Sequence, residues 1–464
     1  MPSTNSTPQR DAVAAKADLI IVGAGAKAAA IATKVHAINS LGLGPLTVTI
    51  IEAVEPAASW TGRNGMTSGE EPLAIPPIKD VGFPYESFQT FGEAGDEIDR
   101  VTMSFSWQRY LMCKREYARW VNADSPAVQH RDYGHYLAWV MSRATEGVTH
   151  LRGRVTQVAT DGIDVGNDGC DACWVVDVSE SSGSHRYSGN ALALTGPGVH
   201  RSLPHDADAS PLIFHCDSRR SEFVRIPEER RTDIGIVGGG ESALSAVAFL
   251  RIFRPAAQLT VYTTGLPLSR GESFLENRVF SNPDEVQWSS LDLASRRAFV
   301  KHCDRGVFDA GSLALRAYDD NCKFVLGRVA RVAAGPGDGV TLQYTSAERE
   351  LSARHDYVVN CTGFDLLEQL RGLFPAAVRG EIERRVGRLW DAPADTEIPI
   401  GRYLELDGMR PRLYIPGLAG LSQGPGFANL GCLGLLANRV LAPLFVEEDM
   451  STESSSRTTT TEVV

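Results

Sequence analysis

The stretch "DLIIVGAGAKAAA", residues 18–30, decides how the rest of the chain is read. Its apolar run makes a short buried strand, its glycines a tight turn, and its alanines the start of a helix. Gly23, Gly25 and Ala28 fit the spacing G-x-G-x-x-A. The first glycine permits the turn, the second lets backbone approach a pyrophosphate, and the small third residue lets helix and strand pack closely. The leading N–H groups of the helix then face the phosphates. "LTVTIIE" follows as a second strand, and Glu52 at its end stands where a carboxylate accepts hydrogen bonds from ribose hydroxyls. Strand, helix and terminal acid together predict a dinucleotide site rather than a structural turn.

The same plan returns at "DIGIVGGGESALSA", residues 233–246, with Gly238, Gly240 and Ala243 in the three small positions and Glu241 and Ser242 opening the helix. Here the following strand ends "VYTTG", with no acid. A carboxylate at that place repels a 2′-phosphate, so its absence favours NADPH over NADH. Arg270, in "PLSRGES", is the nearest cation and a phosphate partner on this reading, and equally a surface arginine. Two dinucleotide sites of different polarity predict one that keeps a flavin, FAD, and one that receives NADPH. The flavin then does what nicotinamide cannot, reacting with oxygen or with a disulfide.

Outward from the two turns, residues 54–150 are irregular, with helical patches near "SWQRYLMCKREYARWV" and "DYGHYLAWVMSRA". Residues 151–195 alternate as antiparallel strands, and "KFVLGRVARVAA", "GVTLQYTS" and "HDYVVNCTGF" read as strands after the second turn. The expected fold is α/β, with two Rossmann-like dinucleotide-binding domains and a small, mostly helical substrate-binding region. The FAD domain takes residues 17–215 and 356–446 and is interrupted by the NADPH domain at 216–355, which carries the substrate-contacting helical segment. Residues 1–16 and 447–464 are too polar to bury and read as disordered tails.

A net charge of −11 with no long basic block argues against nucleic acid or an anionic membrane as partner. The N-terminus has no apolar h-region, so a cytoplasmic protein is expected. The eight cysteines are scattered. The one close pair, Cys170 and Cys173, raises a disulfide reductase as a rival, but it lies in a hairpin flanked by Gly and Asp with no cation to lower a thiol pKa. No H-E-x-x-H or paired C-x-x-C appears, so no metal is expected. Nor does the sequence offer a nucleophile or acid–base triad, and no catalytic residue is assigned beyond the flavin.

From "SGEEPLAIPPIKDVGFPYES" onward the chain resembles the N-hydroxylating flavoprotein monooxygenases, most nearly the lysine N6-hydroxylases of the mycobactin and nocobactin type. The pieces that carry the likeness are "GAGAKA" at 23–28, "KDVGFPY" at 79–85, "SWQRYL" at 106–111, "VGGGESA" at 237–243, "RGESFLENRVFSNP" at 270–283, "DRGVF" at 304–308 and "GLSQGPGFANLGCLGLL" at 420–436. The resemblance implies that Lys79 pairs with the substrate α-carboxylate and that Asn277 bonds the substrate backbone, with Asp304, Asn429 and Leu430 near the same pocket. It implies that Trp60 and Met66 cover the flavin ring, and that Thr362 and Gly363 belong to the segment returning to the FAD domain. There are departures. Ala74 stands where ornithine hydroxylases carry a glutamine, and Gly431 where a serine is common.

The implied reaction is N-hydroxylation of a free amino acid's side-chain amine, L-lysine to N6-hydroxy-L-lysine, in siderophore or other natural-product biosynthesis. NADPH reduces FAD, O2 adds at flavin C4a, and the neutral amine attacks the distal oxygen. L-ornithine or another ω-amine is the alternative substrate, and ketone or sulfide oxygenation the alternative chemistry. A catalytically silent flavin-binding module is the reading from a different class. The resemblance also implies a homo-oligomer, tetrameric in many relatives.

Overall fold

The computed structural model describes residues 16–63, 67, 69–71, 73, 75–161, 172–204, 210–216, 223, 225–228, 231–265, 268–269, 274–303, 307–308, 321–334, 339–392 and 396–454. Two sheets organise them, one mixed and one all parallel, each built around one of the glycine turns.

The first sheet has β1 (Ala17–Val22), β2 (Val48–Glu52), β3 (Val148–Arg152), β4 (Arg154–Asp161), β5 (Cys173–Glu180) and β6 (Gly183–Leu194). Their order is β3-β2-β1-β6-β5-β4; β3, β2, β1 and β6 run parallel, and β5 and β4 fold back antiparallel. Leu19, Ile20 and Ile21 of β1 are fully buried, as expected for a central strand covered on both faces. Over it lies α1 (Ala26–Ser40), whose alanines let it come close to the sheet and to the closing helix.

The connection β7 (Val199–His200) leads to the second sheet, which holds β8 (Ile213–His215), β9 (Asp233–Val237) and β10 (Gln258–Thr263). A two-residue pair, β11 (Leu268–Ser269) with β12 (Val307–Phe308), lies beside it. β13 (Cys322–Leu326) completes one edge, and β14 (Arg328–Ala334), β15 (Val340–Ser346) and β16 (Arg349–His355) form an antiparallel meander. β17 (Tyr357–Asn360) returns to the second sheet, whose order is β13-β10-β9-β17-β8, all parallel. β18 (Phe364–Asp365) pairs with β7, and β19 (Arg412–Tyr414) adds to β6 of the first sheet.

Among the helices, α2 (Phe88–Phe91), α3 (Ala94–Thr102), α4 (Trp107–Lys114), α5 (Tyr117–Asn122) and α6 (His130–Arg143) follow β2. α7 (Glu241–Phe253) follows the second turn, and α8 (Phe274–Ser281) and α9 (Leu293–Cys303) lie between β11 and β12.

The interrupted architecture is the one expected, with corrections to its edges. β8 and β17 both pair in the second sheet, so that sheet begins before residue 216 and the chain leaves it only after Asn360. Strands of three or four residues carry too little pattern to declare which sheet they join. "KFVLGRVARVAA" is two strands, broken at Gly327, where a Cβ would lie 2.8 Å from the Tyr344 ring. The closing helix runs Leu433–Ser454, well into the segment expected to be disordered. Its Glu447, Glu448 and Met450 are good helix formers, and backbone hydrogen bonding carries the element past the apolar stretch.

Candidate functional site

Gly23 has φ +97°, and a Cβ there would press on Thr195 Oγ1 at 3.0 Å. A Cβ on Gly25 would meet nothing within 4 Å, so open space faces the turn where a phosphate would approach. Gly25 is the N-cap of α1, with no capping side chain and no acid in the first turn, so the helix presents its N–H groups and positive dipole end to that space. Ala28 is fully buried. Glu52 has a task that sequence reading missed. Its Oε2 accepts from the Ala24 N–H at 2.9 Å and its Oε1 from the Val54 N–H at 3.0 Å, so the acid fixes the shape of the turn. Each oxygen keeps a second lone pair for a hydroxyl. Trp60 is half-buried and packs edge-on against His130 and Tyr133. This cradle fits a dinucleotide.

The second turn is tighter. Gly238 has φ +140°, and a Cβ there would collide with the Cys361 carbonyl oxygen. Gly240 caps α7 with no side-chain hydrogen bond, Glu241 and Ser242 open the helix, and Ala243 is fully buried. β10 ends at a buried Thr263, without a carboxylate. Thr362 N and Oγ1 both donate to Asn360 Oδ1, at 3.0 and 2.7 Å, and the Gly363 carbonyl accepts from Arg201 N–H at 3.0 Å. Both residues therefore sit at the crossing between the two sheets.

Three segments far apart in sequence meet beyond the first turn. Lys79 Nζ donates to Asn277 Oδ1 at 2.6 Å across 198 residues, and it lies 5.8 Å from the centroid of the Phe83 ring. The pair sets an ammonium beside a carboxamide, a donor set suited to a carboxylate. Asp80, next in sequence, faces elsewhere: it accepts from Trp107 N–H (2.9 Å), Gly82 N–H (3.1 Å) and Tyr85 O–H (2.7 Å). Burial pushes its carboxyl up to about 6, with those three donors and the Phe83 N–H opposing the rise.

The third segment is the glycine-rich loop before the closing helix. A Cβ on Gly426 would collide with Phe280 O, and Gly434 N–H, at the start of the closing helix, donates to Phe83 O at 2.7 Å, so the loop and helix start wedge between the other two segments. Asn429 Oδ1 accepts from Gly431 N–H at 2.7 Å, and Leu430 packs on the first core. A Cβ at Gly431 would lie 3.0 Å from Asn429 Oδ1 and 3.1 Å from Phe280 O, which accounts for glycine in place of serine.

Several contacts here were not read from the sequence. Lys27, inside the first glycine turn, donates to Ala428 O at 3.0 Å and ties that turn to the loop. Arg439 reaches Asp284 at 2.7 Å and lies 4.4 Å over the Phe427 ring, while Trp288 Nε1 donates to Leu421 O at 3.0 Å. A buried arginine within an apolar helix was the available signal. Behind them Lys34, fully buried, donates to Ser87 Oγ (2.6 Å) and Asp99 (3.0 Å); burial lowers its pKa and Asp99 opposes that.

Met66, Arg270, Asp304, Ala74 and Cys170 lie outside the described residues; Cys173 begins β5. Among the described residues, Glu276, His302 and Cys303 gather ligand-type atoms within 4.8 Å of one another, with His302 exposed. No described helix is long and apolar enough to cross a membrane.

The model of the L-lysine 6-monooxygenase/L-ornithine 5-monooxygenase family matches residues 99–315. The chain is 34% identical over 435 residues to the L-lysine N6-monooxygenase MbtG of Mycobacterium sp. (strain MCS), covering 92% of this chain and 94% of that one. Among solved structures, the lysine monooxygenase NbtG from Nocardia farcinica, described for an unprecedented conformation of its NADPH domain, superposes with a TM-score of 0.75 at 30% identity, covering 91% of this chain and 99% of that one. The Kutzneria sp. 744 ornithine N-hydroxylase KtzI shares the fold, with a TM-score of 0.71 at 17% identity over 93% of this chain and all of that one. With relatedness spanning nearly its whole length, the chain belongs to the family of lysine and ornithine side-chain N-monooxygenases.

Proposed function

We propose that this protein N-hydroxylates the ε-amine of L-lysine, with FAD held at the first glycine turn and NADPH docking at the second. The observation that carries the reading is the meeting of Lys79 and Asn277 from segments 198 residues apart, on the flank of the loop that Lys27 ties to the first turn. When bound, FAD reduced by NADPH supplies the activation of O2.

The chain's own residues bind, orient and exclude water. Gly25 and the N-terminus of α1 receive the flavin nucleotide's pyrophosphate, and Glu52 its ribose. Gly238, Gly240 and α7 receive the nicotinamide nucleotide, and the strand end without an acid leaves room for a 2′-phosphate. Lys79 and Asn277 hold the α-carboxylate, so the far amine is set at a fixed reach. That amine must be neutral to react, against an ordinary pKa of about 10.4. Desolvation favours the neutral form. Asp80, the buried carboxylate beside Lys79, is engaged by three donors of its own loop and α4, so it is not turned toward the substrate.

Purified protein should carry or take up FAD, oxidise NADPH, and form a hydroxylamine from L-lysine faster than from L-ornithine or cadaverine. A product assay across the three amines decides it; equal rates with cadaverine remove the carboxylate clamp, and a colourless protein that takes up no flavin removes the whole reading.

Gly238→Ala separates the two nucleotide sites. A methyl group there strikes the Cys361 carbonyl, and the φ of +140° disfavours any side chain. NADP+ affinity should fall by about tenfold or more, the equivalent of one lost charge-assisted hydrogen bond. FAD content should stay unchanged, as read by the flavin absorbance ratio beside titration calorimetry with NADP+.

A further inference from the structure

We propose that Cys216 and Cys361 form an oxidisable dithiol at the root of the second glycine turn, closed to a disulfide by hydrogen peroxide and reopened by a small dithiol. β8 and β17 are parallel neighbours with Ile213 opposite Val358, Phe214 opposite Val359 and His215 opposite Asn360. The Cys216 N–H donates to Asn360 O at 2.9 Å as part of the last of these pairs, and Cys216 and Cys361 are the residues that follow it on the two chains. Adjacent strands lie about 4.8 Å apart, inside the Cα separation a disulfide spans. Residues at matching places on parallel neighbours send their side chains to the same face, and Cys361 is foremost among the groups that lower the Cys216 thiol. The sequence hides this pair, because its members are brought together by strand order and not by spacing.

The surroundings distinguish Cys216 from an ordinary core thiol. Its sulfur lies 3.8 Å from His215 Nδ1, and the His200 ring lies tilted against His215 with centroids 4.1 Å apart. The contact with Cys361, followed by His215 and Ser242, draws the Cys216 thiol below its usual range although burial pushes the other way. Cys432 is a contrast within the same chain: burial dominates there and raises the thiol to about 12. The His215 imidazole 3.8 Å from its sulfur gives Cys216 the attacking role in this proposal. Its thiolate attacks peroxide, forming an S–O bond as the O–O bond breaks, and the departing hydroxide takes a proton to become water. The Cys361 sulfur then attacks the sulfenic sulfur, forming the S–S bond and expelling the second oxygen as water. Two thiols lose two electrons, and one peroxide becomes two waters.

The position gives the oxidation a consequence, which rests on the nicotinamide reading of the second turn. Gly238 leans directly on the Cys361 peptide, and the Cys361 N–H donates to Val237 O at 2.8 Å. The Cys361 sulfur also donates to Ser242 O, at the first turn of α7, at 3.6 Å. A covalent bond to Cys216 draws Cys361 toward β8 and shifts the peptide on which the turn rests.

The experiment treats the FAD-loaded protein with equimolar hydrogen peroxide, blocks remaining thiols with iodoacetamide under denaturation, and maps the digest by mass spectrometry. A Cys216–Cys361 linked peptide that disappears on adding dithiothreitol is expected, with Cys432 alkylated throughout. In Cys361→Ser, dimedone should trap Cys216 as the sulfenic acid, and the wild-type map alone decides if that variant does not fold. NADP+ affinity should drop by about tenfold on oxidation and recover on reduction. Peroxide that leaves both cysteines alkylatable, or links other cysteines instead, overturns the proposal. A reduced protein that never binds NADP+ would overturn the nicotinamide reading, while the linked peptide would still stand.

Discussion

Lys79→Met lowers kcat/KM for L-lysine by roughly 30-fold to several-thousand-fold, the range expected when one partner of a hydrogen-bonded charge pair is truncated at a cost of about 2–5 kcal/mol. Methionine keeps much of the stem that runs past Phe83 and removes only the charge that Asn277 accepts from. Because Lys79 is half-buried rather than fully enclosed, the lower part of that range is the better expectation. Cadaverine has no carboxylate, so its turnover should hardly change, and the lysine-to-cadaverine preference should collapse. Asn277→Ala should act in the same direction by less, and the double variant should cost less than the sum, as expected of two hydrogen-bonded groups proposed to hold one anion. Steady-state hydroxylamine formation with each amine tests this. A Lys79→Met enzyme that still prefers lysine by its original margin would place the clamp elsewhere.

Asp99→Ala should cost the folded protein about 3–5 kcal/mol, the penalty for leaving a buried charge without its counter-ion. Lys34 lies on α1 and is wholly enclosed, and Asp99 on α3 supplies its ion pair at 3.0 Å. Asp99 also accepts from Ser87 N–H (2.8 Å) and Ser87 O–H (2.6 Å). Ser87 Oγ lies 3.1 Å from Asn438 Oδ1 of the closing helix. Four separate segments meet on this one carboxylate and hydroxyl, and Ser87 ends the loop that carries Lys79. Urea denaturation of the FAD-loaded protein measures the loss as a lowered midpoint. Lys34→Met combined with Asp99→Leu should recover part of it, because an apolar pair of similar volume needs no desolvation of charge. A loss below about 1 kcal/mol in Asp99→Ala would assign the joint to packing alone.

The two turns were legible because everything that makes them is local: a buried strand, small residues at fixed intervals and an uncapped helix start all fall within a few residues. Lys79 and Asn277 were legible only through family likeness, since no periodicity links positions 198 residues apart. Glu52 was read for its ribose, while its bonds to the Ala24 and Val54 amides follow from the turn's path through space. Nothing local marks Lys27, whose bond to Ala428 O depends on a loop 401 residues further on. The domain edges failed for a related reason. Tyr357–Asn360 reads as a strand from its sequence, but the sheet that it and Ile213–His215 complete is set by β9, which lies between them in sequence.

The outgoing and returning crossings between the sheets run side by side, β7 against β18, with Asn360 Nδ2 donating to Arg201 O at 2.6 Å. To the host sheet the whole inserted lobe is then equivalent to a hairpin bend, and its length adds almost nothing to the entropy of closing the loop. The pairing of β19 with β6, Arg412 against Ala191 and Tyr414 against Ala193, is remote along the chain yet short-range once the guest has folded. With the inserted lobe folded, the host's last strand and closing helix are brought within reach of β6 at little further entropic cost.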